Sequence, residues 1–373
     1  MDIVKLSNTI ENDSLVLELG DNIQNMIING DVDGYLNYFD IETFSHFITE
    51  GVSQRYNSDK FQKDYITGIK AGLKSLPQKI IDEVNAGGYY DFVNYFYDET
   101  TQSYNMLFRL YSSLTGVNYH QYRVSKKDDT FLFNDIYVYL SGEDLSATFK
   151  RFYMYSLPKK SLFSLFGENN SVEFLKVADA VKLYNQGEFQ KAYQKFNEIK
   201  GDLKNDKFTL ILKSTCAAEI NDRAYKNSME LIAKTYPNDP TLYLNQIDYY
   251  IITKEYDKAL ELLNRLEDET SDDFLIFLKG NIEIERPNPK KAVEHYKYIS
   301  DNYPEFSEGH TSYLYALCLN GEYDKCIDLL DVLVESDYLK EDLVDFIEEV
   351  DENGINELED FVKSKQYKTW KKA

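Results

Sequence analysis

A chain of 373 residues, 43% of them hydrophobic and 15% aromatic, has surface enough to bury for two or three domains, and 64 acidic against 41 basic residues leave it a net charge of −23. The 22 Phe and 32 Tyr rule out disorder as the meaning of that charge, and an acidic field that repels phosphate rules out nucleic acid and anionic membrane surfaces as partners. No stretch approaches the roughly 20 apolar residues of a membrane span, and Met1-Asp2-Ile3-Val4-Lys5-Leu6 lacks a leader's basic start and apolar run, so the expected compartment is the cytoplasm.

Residues 11 to 29 and 31 to 49 have helical periodicity with a turn at Gly30-Asp31, and Phe61 to Val84 predicts a third helix carrying Tyr65, Ile69, Leu73, Leu76 and Ile80. Gly87-Gly88 then opens a run rich in β-branched and aromatic residues. It predicts four strands, Tyr89–Tyr97, Met106–Leu114, Val117–Val124 and Phe131–Leu140, with connections short enough for an antiparallel meander. Ser141-Gly-Glu-Asp144 is a capping sequence ahead of an amphipathic helix that ends before Pro158. The polar stretch Gly167 to Ser171 is the expected hinge.

Beyond that point a phrase recurs: Gly187-Glu-Phe189-Gln-Lys-Ala192, Glu255-Tyr256-Asp-Lys-Ala259 and Gly321-Glu-Tyr323-Asp-Lys-Cys326, with weaker copies ending at Ser228 and Ala292. The small residue falls at 192, 228, 259, 292 and 326, in steps of 36, 31, 33 and 34. Three residues before it stand Phe189, Tyr225, Tyr256, Pro289 and Tyr323; four after it stand Phe196, Ile232, Leu263, Tyr296 and Leu330. Twelve before it are Ala180, Cys216, Ile247, Gly280 and Leu314. After the fifth copy, Glu341–Val350 and Ile355–Val362 read as two amphipathic helices that cap the array.

This second half resembles the tetratricopeptide repeat family, whose period is about 34 residues. The resemblance implies five stacked helical hairpins in a right-handed solenoid, with a concave groove lined by the first helix of each repeat and used to hold peptides or partner helices. The first half, helices followed by a meander, resembles the cone-shaped fold of the nuclear-transport-factor-two superfamily, which ketosteroid isomerases also use. The expected organisation is therefore an α+β domain over residues 1–160, with three helices and a curved four-stranded sheet, an all-α repeat array over 171–338, and a cap over 339–373.

Carried onto this register, the groove positions are Val177, Lys213, Leu244, Phe277 and Thr311 at one level, and Val181, Ala217, Asp248, Asn281 and Tyr315 at the next. Of these, Lys213, Asp248, Phe277, Asn281, Thr311 and Tyr315 are the candidate partner-binding residues. Chaperone-binding relatives use Lys and Asn at such levels to clamp a terminal carboxylate; Val177 and Val181 stand in their place. The leading expectation is a non-enzymatic interaction protein with a protein or peptide partner, no cofactor, and self-association as a further outcome.

An alternative class is small-molecule binding or isomerase-like chemistry in the first domain. There His120, Asp135 and Tyr137 lie on neighbouring predicted strands, and a carboxylate orienting an imidazole can serve as a general base. Cys216, Cys318 and Cys326 have no Cys-x-x-Cys spacing and four scattered histidines suggest no metal site. The chain has no phosphate-cradling glycine loop, nucleophile elbow or His-Glu-x-x-His helix. Asp31-Val-Asp33-Gly34 lacks the remaining ligands of a calcium loop and reads as a capping turn.

Overall fold

The structure, a computed structural model, describes residues 5–52, 58–113, 115–127, 129–157, 159–336 and 338–373. Among them five helices come first: α1 (Ile10–Ile28), α2 (Val32–Asn37), α3 (Ile41–Thr49), α4 (Asp59–Gly72) and α5 (Ser75–Asn85). An antiparallel sheet follows in chain order, β1 (Tyr89–Asp98), β2 (Ser103–Ser112), β3 (Gly116–Lys127), β4 (Thr130–Val138) and β5 (Glu143–Asp144), and then α6 (Leu145–Tyr155). The core lies between helices and sheet. α1 contributes Val16, Leu19, Ile23 and Ile27 at helical spacing, and the strands contribute Tyr90, Tyr104, Met106, Phe108, Tyr122 and Phe133. Phe108 stacks on Tyr90 with ring centroids 5.3 Å apart and tilts against Tyr122 at 4.7 Å.

The meander stands as expected, but three helices and four strands become five and five. The helix expected over 31–49 breaks because Phe39 bridges β4 at Phe133, with the Asp40 amide donating to the Phe133 carbonyl at 2.8 Å. Asp40 then caps α3, accepting from the Thr43 amide at 3.2 Å and its hydroxyl at 2.6 Å. The helix expected over 61–84 breaks at Leu73-Lys74, since Pro77 has no N–H to give the carbonyl of Leu73 four residues back. The fifth strand is two residues long, too short to show a period, and pairs Tyr137 with Asp144 and Val138 with Glu143. The expected ends of β2 at Leu114 and of α6 at Pro158 lie outside the described residues.

The rest is helical and comes in consecutive pairs: α7 (Lys159–Asn185) and α8 (Phe189–Asn197); α9 (Lys207–Ala218) and α10 (Asp222–Thr235); α11 (Tyr243–Ile252) and α12 (Tyr256–Thr270); α13 (Leu275–Glu285) and α14 (Pro289–Asn302); α15 (Ser307–Leu319) and α16 (Tyr323–Glu335). These lengths and turns fit a tetratricopeptide array. α7 runs unbroken through 167–171, where a hinge is expected; that stretch is polar but contains no proline. All five small positions are buried, as are all five apolar positions four residues later and all five partners on the first helices. Gly280 shows why one of those must be small: a Cβ there would sit 2.4 Å from the ring of Tyr296.

The turns repeat too. In four pairs the amide of the residue after the turn reaches back to a carbonyl of the first helix: Glu188 to Leu183, Glu255 to Tyr250, Asn288 to Glu283 and Glu322 to Leu317. Such turns need a left-handed residue, which is Gly187 (φ 72°) and Gly321 (φ 74°) but also Lys254 (φ 60°).

The cap has three helices rather than two: α17 (Lys340–Glu348), α18 (Glu359–Lys363) and α19 (Lys365–Lys372). Asp351 holds the stretch between α17 and α18 in a turn, accepting from the amides of Asn353 and Ile355, each at 2.8 Å. In α19, Trp370 is buried and donates from Nε1 to Asp331 at 2.9 Å, while Lys340 lies 4.4 Å from its ring.

By compactness the chain divides into two units, Met1–Tyr249 with Glu269–Ser271, and Tyr250–Asp268 with Asp272–Ala373. Within the first, the sheet side of the α+β part joins the first repeats. A Cβ on Gly142, whose φ is 67°, would lie 2.6 Å from the Lys207 side chain and 2.7 Å from Ile211 of α9. Arg151 of α6 lies over Phe208 at 4.2 Å and donates to Glu143 at 2.7 Å.

Candidate functional site

In the first unit, β3 puts Tyr122 and His120 on one face, two residues apart. Their hydrogen bonds form a buried chain. The Tyr122 hydroxyl is 2.9 Å from that of Tyr35 on α2 and 2.8 Å from that of Tyr90; the Tyr90 hydroxyl is 3.3 Å from His120 Nδ1; and His120 Nε2 is 3.0 Å from the Asn118 amide. Burial pushes the imidazole down to about 4 and the Tyr122 phenol up to about 12, so both are neutral at neutral pH.

Asp135 belongs to another network. Opposite Arg123 in the ladder, where His120 faces Val138, it accepts from the Ser146 amide at 3.0 Å and from the Ser146 hydroxyl at 2.5 Å. It thereby caps α6, the role the sequence pattern assigns to residues 141–144. Burial, with the Asp144 charge adding, raises its carboxyl to about 6.

Tyr137 points elsewhere again. Its hydroxyl accepts from Lys207 at 2.9 Å and meets Thr241 at 3.0 Å, and Lys207 pairs with Asp239 at 2.6 Å. The three residues expected to share a pocket thus serve three separate purposes: an internal relay, a helix cap and a fastening to the repeats. Phe131 and Phe133, which an open cone would leave aside, are buried in the core.

The groove candidates also part company. In the first unit Lys213 is half-buried with its ammonium 5.5 Å from the Tyr193 ring, and desolvation lowers its pKa. Asp248 is open to solvent by surface area, yet enough protein surrounds it to raise its carboxyl to about 6. In the second unit Phe277 is 1% exposed and packs on Phe274, Tyr296 and Phe306, with centroids 5.8, 5.7 and 4.9 Å away. It is a core residue, because Tyr296 of the second helix and Phe306 from the start of the next hairpin close over it.

Asn281, Thr311 and Tyr315 do come together, around a cleft of ≈ 480 Å³. Ile284 and Glu285 of α13, Tyr296 of α14, Glu308 and Ser312 of α15, and Phe346 of α17 complete its wall. The Tyr296 hydroxyl donates to Asn281 at 2.7 Å, and that of Tyr315 donates to Glu357 at 2.5 Å. Through Tyr315 and Phe346 the cleft continues into a second of ≈ 320 Å³ bordered by Glu349, Val350, Ile355 and Glu357. Ile284, Glu285 and Glu308 were legible, standing three or four helical residues from Asn281 or Thr311. Phe346 belongs to α17, beyond the last repeat, where the register has no position to name.

Among the described residues no cluster of His, Cys, Asp and Glu could hold a metal, and no helix is long and apolar enough to cross a membrane. No family model matches the chain and no curated protein matches it. Among solved structures, MamA 41-end from Desulfovibrio magneticus RS-1, a tetratricopeptide-repeat protein, matches over the C-terminal part with a TM-score of 0.38 at 17% identity, covering 44% of this chain and 93% of that one. MamA of AMB-1 matches with a TM-score of 0.37 at 11% identity, covering 47% and 98%, and MamA of MSR-1 with 0.36 at 14%, covering 44% and 96%. Likeness at that level carries no argument about partners; the site rests on its own geometry.

Proposed function

We propose that this chain is a non-enzymatic interaction protein: five tetratricopeptide-type hairpins over residues 171–338, capped by 339–373 and braced by an α+β domain over 1–160. It holds a peptide or a segment of a partner in the cleft of its C-terminal helices. The carrying observation is the ≈ 480 Å³ cleft, lined by three side chains that the repeat register independently picks out, Asn281, Thr311 and Tyr315. Partly exposed aromatic and polar groups meet there in a concave wall, the arrangement that supplies both contact area and orientation.

The test is affinity capture with the full chain against Tyr315→Ala and Thr311→Lys variants. The expected result is loss of specific partners in both, with the thermal transition unchanged. Retention of every partner by both variants would sink the proposal.

A further inference from the structure

The chemistry of the cleft wall narrows the occupant, on the footing that the cleft is a binding site at all. Its main chamber carries Glu285 and Glu308, its continuation Glu349, and neither is bordered by a Lys or Arg. Among the described residues none of these three carboxylates makes an ion pair. Elsewhere some helix acids are matched by a lysine one turn away, as in Glu188 with Lys191, Glu230 with Lys234 and Glu322 with Lys325.

A net charge of −23 leaves many acids unmatched. What sets these apart is that they converge on a concave surface with an apolar side. Ile284, Tyr315 and Phe346 supply that side. Low-dielectric walls focus the field of the carboxylates into the cleft.

We infer that the occupant is an extended peptide carrying Lys or Arg flanked by apolar side chains. The alkyl stem of such a residue covers the aromatic wall while its charged end reaches the glutamates. A neutral peptide would desolvate the carboxylates without compensation, and an acidic one would be repelled. The glutamates then confer selectivity more than affinity, since each partly exposed pair contributes only about 0.2 to 1 kcal/mol. A terminal-carboxylate ligand is the wrong charge for this wall.

The experiment is fluorescence anisotropy on the full chain. The probes are a labelled short peptide of alternating leucine and lysine, its Lys→Glu and Leu→Ser counterparts, and spermidine as a competitor, each at low and high salt. The protein variants are Glu285→Lys/Glu308→Lys, the milder Glu285→Gln/Glu308→Gln, Tyr315→Ala, and a control, Glu18→Lys/Glu99→Lys, which changes net charge equally on exposed residues outside the cleft.

The expected result is binding of the leucine–lysine peptide alone. Its affinity falls by about tenfold or more in the Lys variant, by less in the Gln variant, and by about twofold or less in the control. Equal loss in the control, or spermidine displacing the peptide as well as unlabelled peptide does, would mean non-specific attraction to an acidic protein and would overturn the inference. Binding of the Glu or Ser peptide that Tyr315→Ala abolishes would also overturn it while leaving the interaction cleft standing. Indifference of every probe to every cleft variant would bring down both.

Discussion

Tyr122 and Tyr315 are both tyrosines whose hydroxyls are hydrogen-bonded to another side chain, and their surroundings give them opposite uses. Tyr122 is fully buried, with its hydroxyl between those of Tyr35 and Tyr90. Every polar atom in that chain finds its partner inside the same domain, so the arrangement specifies packing and leaves nothing for a ligand. Tyr315 stands partly exposed on a cleft wall with unpaired carboxylates beside it. The hydroxyls of the Tyr35, Tyr90 and Tyr122 chain are thus turned inward and paired with one another, whereas the carboxylates beside Tyr315 line a cleft without an ion-pair partner among the described residues. Residue type does not distinguish the two cases; the pairing of neighbouring groups does.

The hardest test of that contrast lies within the second unit, between two residues that one register places in the same groove. Phe277→Ala opens a cavity in a packed aromatic cluster and is expected to cost about 3 to 5 kcal/mol. Tyr315→Ala, at a partly open site, should cost about 1 kcal/mol or less. Hydrogen exchange of amides in α13 to α15 measures both locally, which matters in a chain of two units. Similar losses in the two variants would erase the distinction between core and cleft.

Acid probes the inward-facing network next. The folded pKa of His120 is depressed to about 4 from an ordinary 6.5, so its contribution is fully present above pH 6.5 and is lost as pH falls toward 4, about 3 kcal/mol in all. Asp135, raised to about 6 from 3.8, works the other way: its contribution is present below 3.8 and lost as pH rises through about 6. An NMR titration should find the His120 imidazole neutral down to about pH 4; a midpoint near 6.5 would mean that it is solvated and available for chemistry.

Removing one hydroxyl sharpens the comparison of the two tyrosines. Tyr122→Phe leaves the hydroxyls of Tyr35 and Tyr90 short of a buried partner and should cost about 2 kcal/mol. Tyr315→Phe frees only Glu357, which water can solvate, and should be neutral within about 0.5 kcal/mol. Urea midpoints with a probe in each unit would show it.

The smallest expected effect tests the repeat turns. Lys254 occupies the left-handed position that Gly187 and Gly321 hold in their own turns, so Lys254→Gly should stabilise its unit by about 0.5 to 1 kcal/mol. A loss of stability would mean that the lysine side chain contributes more than its backbone strain costs.

The sequence by itself determined whatever depends on local period. It placed the small residues at 192, 228, 259, 292 and 326, which are all buried, and the helical pairs around them, because close helix crossing repeats its demand at each hairpin. It also placed four strands of the meander, since runs of aromatic and β-branched residues between turn signals are a local property. Tertiary structure alone decided what depends on a distant neighbour. Phe133 breaks the helix over 31–49, and Asp135 caps α6 from across the sheet. His120 binds Tyr90, thirty residues before it, in place of Asp135. The groove register could name Phe277 and Tyr315 as equals but not separate them. Which of two side chains on one helical array is covered depends on the hairpin that packs beside it, and on Phe346 arriving from beyond the last repeat.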